Sequence, residues 1–154
     1  NGVIEGTGVA KYANGLVYEG EFSRGKNNGS GTMTYSDGYV YKGNWKNGIQ
    51  EGKGEEIFPN GTTYKGEFKN NQRHGKGMMK MEDGFSYTGD WVSGEMSGRG
   101  IAVYANGDKY DGFFLNGKRE GKGVMTFQDG KVIDTIWKAG KEIEKDNKKT
   151  TPSN

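Results

Sequence analysis

The sequence predicts an all-β protein: a single-layer antiparallel β-sheet solenoid of tandem 23-residue hairpin repeats. Three observations predict it. A Tyr-x-Gly triplet recurs at Tyr18, Tyr41, Tyr64, Tyr87 and Tyr110, always 23 residues apart. Glycine contributes 29 of the 154 residues, far above the usual ~7%, and stands at fixed places in each unit. Proline occurs only at Pro59 and Pro152, and the apolar residues alternate over short runs without a sustained helical period, which is the signature of strands. Strict periodicity separates such a chain from a disordered glycine-rich one, because disorder imposes no register.

The chain opens on the back half of a unit, "EGTGVAKYANG" from Glu5, and five full repeats follow over residues 18–132. Each begins Tyr-x-Gly-x-(Phe/Trp), the ring falling at Phe22, Trp45, Phe68, Trp91 and Phe114. A Gly-x-Gly follows at Gly29, Gly52, Gly75, Gly98 and Gly121, and an Asn-Gly or Asp-Gly closes the unit. "IDTIWKAG" from Ile133 is the front half of a worn sixth unit and reads as a cap on the open sheet. The array is thus expected over residues 1–143, with a polar tail of flexible character over 144–154. Phe and Trp alternate strictly from Phe22 to Trp137, marking a 46-residue double unit.

The turn chemistry predicts which residues share a face. "FPNG" places Pro59 at the second position of a type I turn, so Gly61 takes the left-handed conformation and makes a bulge. In that register Phe58 pairs with Thr62, Gly54 with Gly66 and Gly52 with Phe68. Rings and glycines then lie on one face, each ring leaning over bare backbone. About twelve strands at ~4.8 Å spacing would span ~55 Å.

These residues resemble the MORN repeat (membrane occupation and recognition nexus), whose pattern is close to Y-x-G-x-W-x-x-G-x-x-x-G-x-G-x-x-x-x-x-x-D-G-x. The match runs from about Glu5 to Gly140, with local departures at Asn71, Met81 and the sixth unit. The resemblance implies a non-enzymatic scaffold or recognition surface of a cytoplasmic protein, placed at a membrane or the cytoskeleton, with helices or peptides bound along the aromatic groove. It also implies dimerisation through terminal repeats in some members.

The residues themselves point the same way. The chain has no cysteine, which excludes disulfides and thiolate metal sites. Its single histidine, His74, falls in a six-residue loop within "KNNQRHG" and reads as a solvated turn residue. No catalytic residue, metal site or cofactor is expected. The Gly-x-Gly motifs lack the third glycine and the helix that a phosphate-binding loop needs.

The candidate protein-binding residues are Tyr18, Phe22, Tyr41, Trp45, Tyr64, Phe68, Tyr87, Trp91, Tyr110 and Phe114. A one-layer sheet would leave their rings unroofed, and exposed apolar surface marks interaction sites. On that reading, loss of Trp45 and Trp91 spares the fold and abolishes capture. Lys42, Lys46, Lys65, Lys69, Arg73 and Lys76 make the middle repeats basic, a candidate surface for anionic lipid. Ile101, Val103, Phe113, Val124 and Ile136 form a candidate dimer patch on the reverse face. Nucleic acid is disfavoured by a net charge of only +2. The leading reading is a scaffold for a protein segment; the alternatives are a lipid-binding module and a regulatory domain of a larger enzyme.

Overall fold

The computed structural model describes residues 2–146. It holds one open antiparallel sheet of 13 strands whose spatial order is the chain order. The strands are β1 (Gly6–Lys11), β2 (Val17–Ser23), β3 (Lys26–Thr34), β4 (Val40–Lys46), β5 (Ile49–Ile57), β6 (Thr63–Lys69), β7 (Gln72–Lys80), β8 (Ser86–Val92), β9 (Glu95–Val103), β10 (Lys109–Leu115), β11 (Lys118–Thr126), β12 (Val132–Lys138) and β13 (Lys141–Asp146). Each pairs only with its neighbours in sequence, as a nearest-neighbour repeat array requires.

The hairpin register is the expected one. Phe58 N–H donates to the Thr62 carbonyl at 2.9 Å and Gly61 N–H to the Phe58 carbonyl at 3.0 Å. Gly61 has φ +89°, and Gly54 pairs with Gly66 and Gly52 with Phe68. Asn60 Oδ1 accepts the Thr62 N–H at 3.0 Å. The same side-chain bond recurs at Asn14, Asp37, Asp83, Asn106 and Asp129, which explains why only Asn and Asp stand there.

The opposite edge corrects the sequence reading. No six-residue loop surrounds His74. A two-residue turn, Asn70-Asn71, joins β6 to β7, and His74 lies within β7. Both turn residues have positive φ, the type I′ geometry whose twist matches flanking strands. Arg24-Gly25, Asn47-Gly48, Ser93-Gly94, Asn116-Gly117 and Ala139-Gly140 do the same. These turns are stapled laterally. Gly48 N–H donates to the Asn27 carbonyl at 2.8 Å, and the Asn70 and Ala139 N–H groups donate to the carboxylates of Glu51 and Glu120. His74 Nδ1 holds the equivalent place, 3.5 Å from the Ser93 nitrogen.

The glycines divide into two kinds. Those of Tyr-x-Gly and the second of each Gly-x-Gly pair with one another from Gly8 to Gly123, forming a bare column across the sheet. The first glycine of each Gly-x-Gly does not lie beneath a ring, contrary to expectation. Gly52 has φ +94°, and a Cβ there would point at Asn44 on the reverse face. It sits where β5 carries extra residues against β4, a bulge between the Gly43 and Trp45 pairings.

The worn unit does not cap the sheet. β13 continues beyond it, three residues past the expected boundary at 143. Residues 147–154 of the expected tail lie outside the described residues.

Candidate functional site

The aromatic residues form one continuous ladder. Each tyrosine is wedged between the Phe or Trp of its own strand and that of the next repeat, as Tyr41 is between Trp45 and Phe68. Centroids stand 4.9–6.1 Å apart with ring planes near perpendicular, from Tyr18–Phe22 through to Tyr110–Trp137. This is the edge-to-face geometry the ring quadrupole favours. The Phe/Trp alternation gives every ladder tyrosine one neighbour of each kind. Trp45 Nε1 donates to the Gly31 carbonyl and Trp91 Nε1 to the Gly77 carbonyl, so alternate repeats are pinned to the glycine column. The tyrosine hydroxyls donate to the carbonyl three residues on, Tyr41 to Asn44 at 2.8 Å and Tyr64 to Glu67 at 2.9 Å. Burial pushes the phenols of Tyr41, Tyr64 and Tyr87 well above the ordinary tyrosine range.

This geometry overturns the expectation of unroofed rings. Tyr18, Phe22, Tyr41, Trp45, Tyr64, Phe68, Tyr87, Trp91, Tyr110 and Phe114 share one face, as the register required, but none is more than 6% exposed. Rings two strands apart roof each other, and the glycines of the strand between let them lie down. Loss of Trp45 and Trp91 is therefore expected to unfold the sheet, since removing a buried Trp costs roughly 3–5 kcal/mol.

The partly open part of this face is its margin, which sequence reasoning did not single out. Tyr35, Tyr39, Phe58, Phe85, Tyr104 and Phe127 flank the three-residue loops, half-buried. Tyr39 packs on Tyr35 and Phe58 at 5.0 and 5.1 Å. Two hollows open beside this row. One, about 440 Å3, is lined by Tyr35, Tyr39, Trp45, Gln50 and Asn71 among others. The other, about 560 Å3, is lined by Met81, Phe85, Tyr104, Arg119 and Met125 among others. An aromatic at one end or the other of every Asn/Asp-Gly loop, and at both ends for Tyr35 and Tyr39, is the signal that marks this row.

Between the hollows lies a polar cluster. Opposite the ladder tyrosines stand Met33, Met79, Ala102 and Met125, but Glu56 in the second repeat. Its buried carboxylate accepts from the Tyr39 hydroxyl and from Arg73 Nη1 at 3.3 Å. Arg73 lies over Trp91, 5.1 Å from the ring centroid.

The candidate lipid residues do not form one surface. Arg73 belongs to the aromatic face, while Lys42, Lys46, Lys65, Lys69 and Lys76 alternate to the reverse. Lys65 pairs with Glu55 at 3.5 Å, and Lys76 pairs with Asp90, holding that carboxyl below its ordinary range. On the reverse face, between β2 and β7, a hollow of about 660 Å3 runs over the bare glycine column. Lys42, Lys53, Lys65 and Lys76 wall it with Glu19, Glu55 and Glu67. Ile101, Val103, Phe113, Val124 and Ile136 also lie on this face, in the last repeats. Phe113 is 47% exposed, with Arg99 stacked on it, and Asp111 interrupts the row between Ile101 and Val124. Among the described residues no helix is long and apolar enough to cross a membrane.

The family model of the MORN repeat matches residues 1–17, 18–38, 41–63, 64–85, 87–109 and 110–132. No curated protein matches the chain. Among solved structures the chain is similar to the TCP domain of Drosophila melanogaster SAS-4 (dCPAP), determined in complex with a proline-rich motif of Ana2 (dSTIL). The TM-score is 0.49 at 14% identity, over 90% of this chain and 82% of that one. It is also similar to the wild-type TCP10 domain of Danio rerio CPAP in complex with a peptide of Danio rerio STIL, with TM-score 0.38 and 15% identity over 89% and 81%.

Proposed function

The chain belongs to the MORN repeat family, and on that premise we propose that it is a non-enzymatic scaffold capturing a protein segment, a helix or an extended peptide, along the margin of its aromatic face. In this reading it tethers that segment to a membrane or cytoskeletal structure. The observation that carries the reading is the row of half-buried rings at the loop edge, flanked by two hollows. The hollow beside Phe85 and Tyr104 is the more apolar of the two; concave apolar surface with a few polar groups is where ligands seat, and aromatic anchors dominate binding energy. The ladder beneath supplies a rigid floor, which keeps the ordering cost of binding low. Anionic lipid is the weaker reading, because the basic residues are divided between faces and partly neutralised by Glu55, Glu56 and Asp90.

A second reading places the segment in the reverse-face hollow, favoured by its size of about 660 Å3. Photo-crosslinking separates the two. A photoreactive phenylalanine analogue is placed at Tyr35, Phe58 or Tyr104, and in parallel at Lys42 or Lys65. Crosslinks from the first three positions to one continuous stretch of a single protein are expected. Crosslinks from the lysine positions alone would move the site to the reverse face, and their absence from all five would remove the scaffold reading.

A further inference from the structure

Resting on the reading that a protein segment lies along this margin, we propose that Arg119 is the anchor for an acidic residue of that segment, a Glu or Asp side chain seated beside an apolar one. The argument starts from the 46-residue double unit, which makes the surroundings of Arg73 and Arg119 two copies of one design. Arg73 stacks near Trp91 and Tyr64, donates from Nη2 to the Gly94 carbonyl at 3.2 Å, and meets the carboxylate of Glu56, whose other oxygen takes the Tyr39 hydroxyl. Arg119 stacks closer still, its Cζ 3.7 Å from the Trp137 centroid and within 6 Å of the Tyr104 and Tyr110 rings. The internal carboxylate is missing there. Ala102 stands in the place of Glu56 and Phe85 in the place of Tyr39. Among the described residues no carboxylate comes within ion-pair distance of Arg119.

A guanidinium stacked on rings keeps its in-plane N–H groups for a planar, bidentate acceptor. Arg119 lines the hollow of about 560 Å3 together with Met81, Phe85, Tyr104 and Met125. Methionines adapt their shape to an incoming apolar side chain. Two acids, Asp83 and Asp108, also line the hollow, but both are engaged in turns. Asp83 accepts the Phe85 N–H at 2.9 Å; Asp108 accepts the Gln128 N–H at 2.9 Å and Asn106 Nδ2 at 3.0 Å. Their fixed negative charge disfavours a dianionic phosphate more than a single carboxylate, so the occupant is an unmodified acidic side chain.

The probe is a fluorescein-labelled, end-blocked pentapeptide, Ala-Leu-Glu-Phe-Ala, followed by anisotropy against the full chain. Saturable binding is expected, weakened about tenfold or more when Glu is replaced by Gln, as losing a charge-assisted hydrogen bond implies. Arg119→Met should weaken the Glu peptide to the same degree and leave the Gln peptide unchanged. The double variant Phe85→Tyr with Ala102→Glu rebuilds the Glu56 arrangement inside the protein and should block the Glu peptide; circular dichroism melts verify that each variant is folded. Equal binding of the Glu and Gln peptides, undiminished binding by folded Arg119→Met, tighter binding of a phosphoserine peptide, or no saturable binding would each overturn the anchor. If Arg119→Met abolishes nothing while margin crosslinks to the partner persist, the anchor alone is lost and the scaffold reading stands. Loss of those crosslinks in the wild type removes both.

Discussion

Replacing Gly54 by alanine tests the reason for the glycine column. A Cβ at Gly54 would lie 2.5 Å from the Tyr41 hydroxyl oxygen and 2.7 Å from two carbons of its ring. Tyr41 is fully buried and held on three sides, by its bond to the Asn44 carbonyl and by Trp45 and Phe68. It has nowhere to swing. Moving it forfeits one hydrogen bond, about 1 kcal/mol, and two edge-to-face contacts at about 0.5–1.5 kcal/mol each. The expected loss is about 2–4 kcal/mol, or roughly 5–15 °C in Tm for a chain of this size. Gly48→Ala is the contrast: nothing stands within 4 Å of its Cβ position, and only its φ of +82° is strained, which costs about 1–2 kcal/mol. The decisive arm repeats Gly54→Ala in a Tyr41→Ala background, with both steps read by urea denaturation. There the penalty should vanish, leaving only the small gain of alanine over glycine within a strand. If Gly54→Ala costs the same with and without the ring, the ring is not why glycine stands there.

Two further outcomes follow from the same contacts. Arg73→Met alone leaves the Glu56 carboxylate buried without its partner and should cost about 3 kcal/mol, whereas Glu56→Met with Arg73→Met should fall within about 1 kcal/mol of wild type. The structure supplies the template for the double variant, since Met79 and Met96 hold these places one repeat later; chemical denaturation measures both. The second outcome concerns alkali. The ladder tyrosines are raised by burial, so the unfolded chain loses its phenolic protons first. Stability is then fully present below pH ~10, the ordinary tyrosine value, and falls as pH rises above it. A cooperative loss of strand circular dichroism above pH ~10, coincident with tyrosinate absorbance, is expected. Gradual ionisation of the phenols in an intact sheet would refute it.

How much of this was legible in the sequence depends on whether a feature lives within a hairpin or between hairpins. Pro59 and Gly61 specify one loop, and that loop fixes the face of Tyr64, Gly66 and Phe68; the structure agrees residue by residue. The type I′ turns are written as plainly in Asn47-Gly48 and Asn116-Gly117, and were obscured by the Asn70-Asn71 variant around His74. The burial of the ladder was not read, because it arises from strands meeting sideways. Tyr41 is covered by Phe68, 27 residues away, and the two rings, two strands or ~9.6 Å apart, meet only because Gly54 on the strand between leaves the backbone bare. The first glycine of Gly-x-Gly misled for a related reason: a positive φ at a bulge and a bare site under a ring select the same residue. Glu56 was visible as the one charge among Met33, Met79, Ala102 and Met125, but its meaning required Tyr39 and Arg73 beside it.

The separation between ladder and margin bears on how a periodic sheet recognises anything in particular. The ladder repeats every 23 residues and is buried, so it offers a partner no means of telling one repeat from the next. Position is marked only where the period breaks on the same face. Opposite the ladder Phe and Trp the residues run Asn27, Gln50, Arg73, Met96, Arg119; opposite the tyrosines they run Met33, Glu56, Met79, Ala102, Met125. The two columns stand beside the half-buried margin, and together they give each hollow a different charge and shape. Gln50 polarises the first, Glu56 and Arg73 neutralise each other between them, and Arg119 leaves the second with a cation that no neighbouring carboxylate meets among the described residues. On the proposed reading, specificity in such a sheet rests on its departures from the repeat, while the repeated residues hold those departures at a fixed spacing.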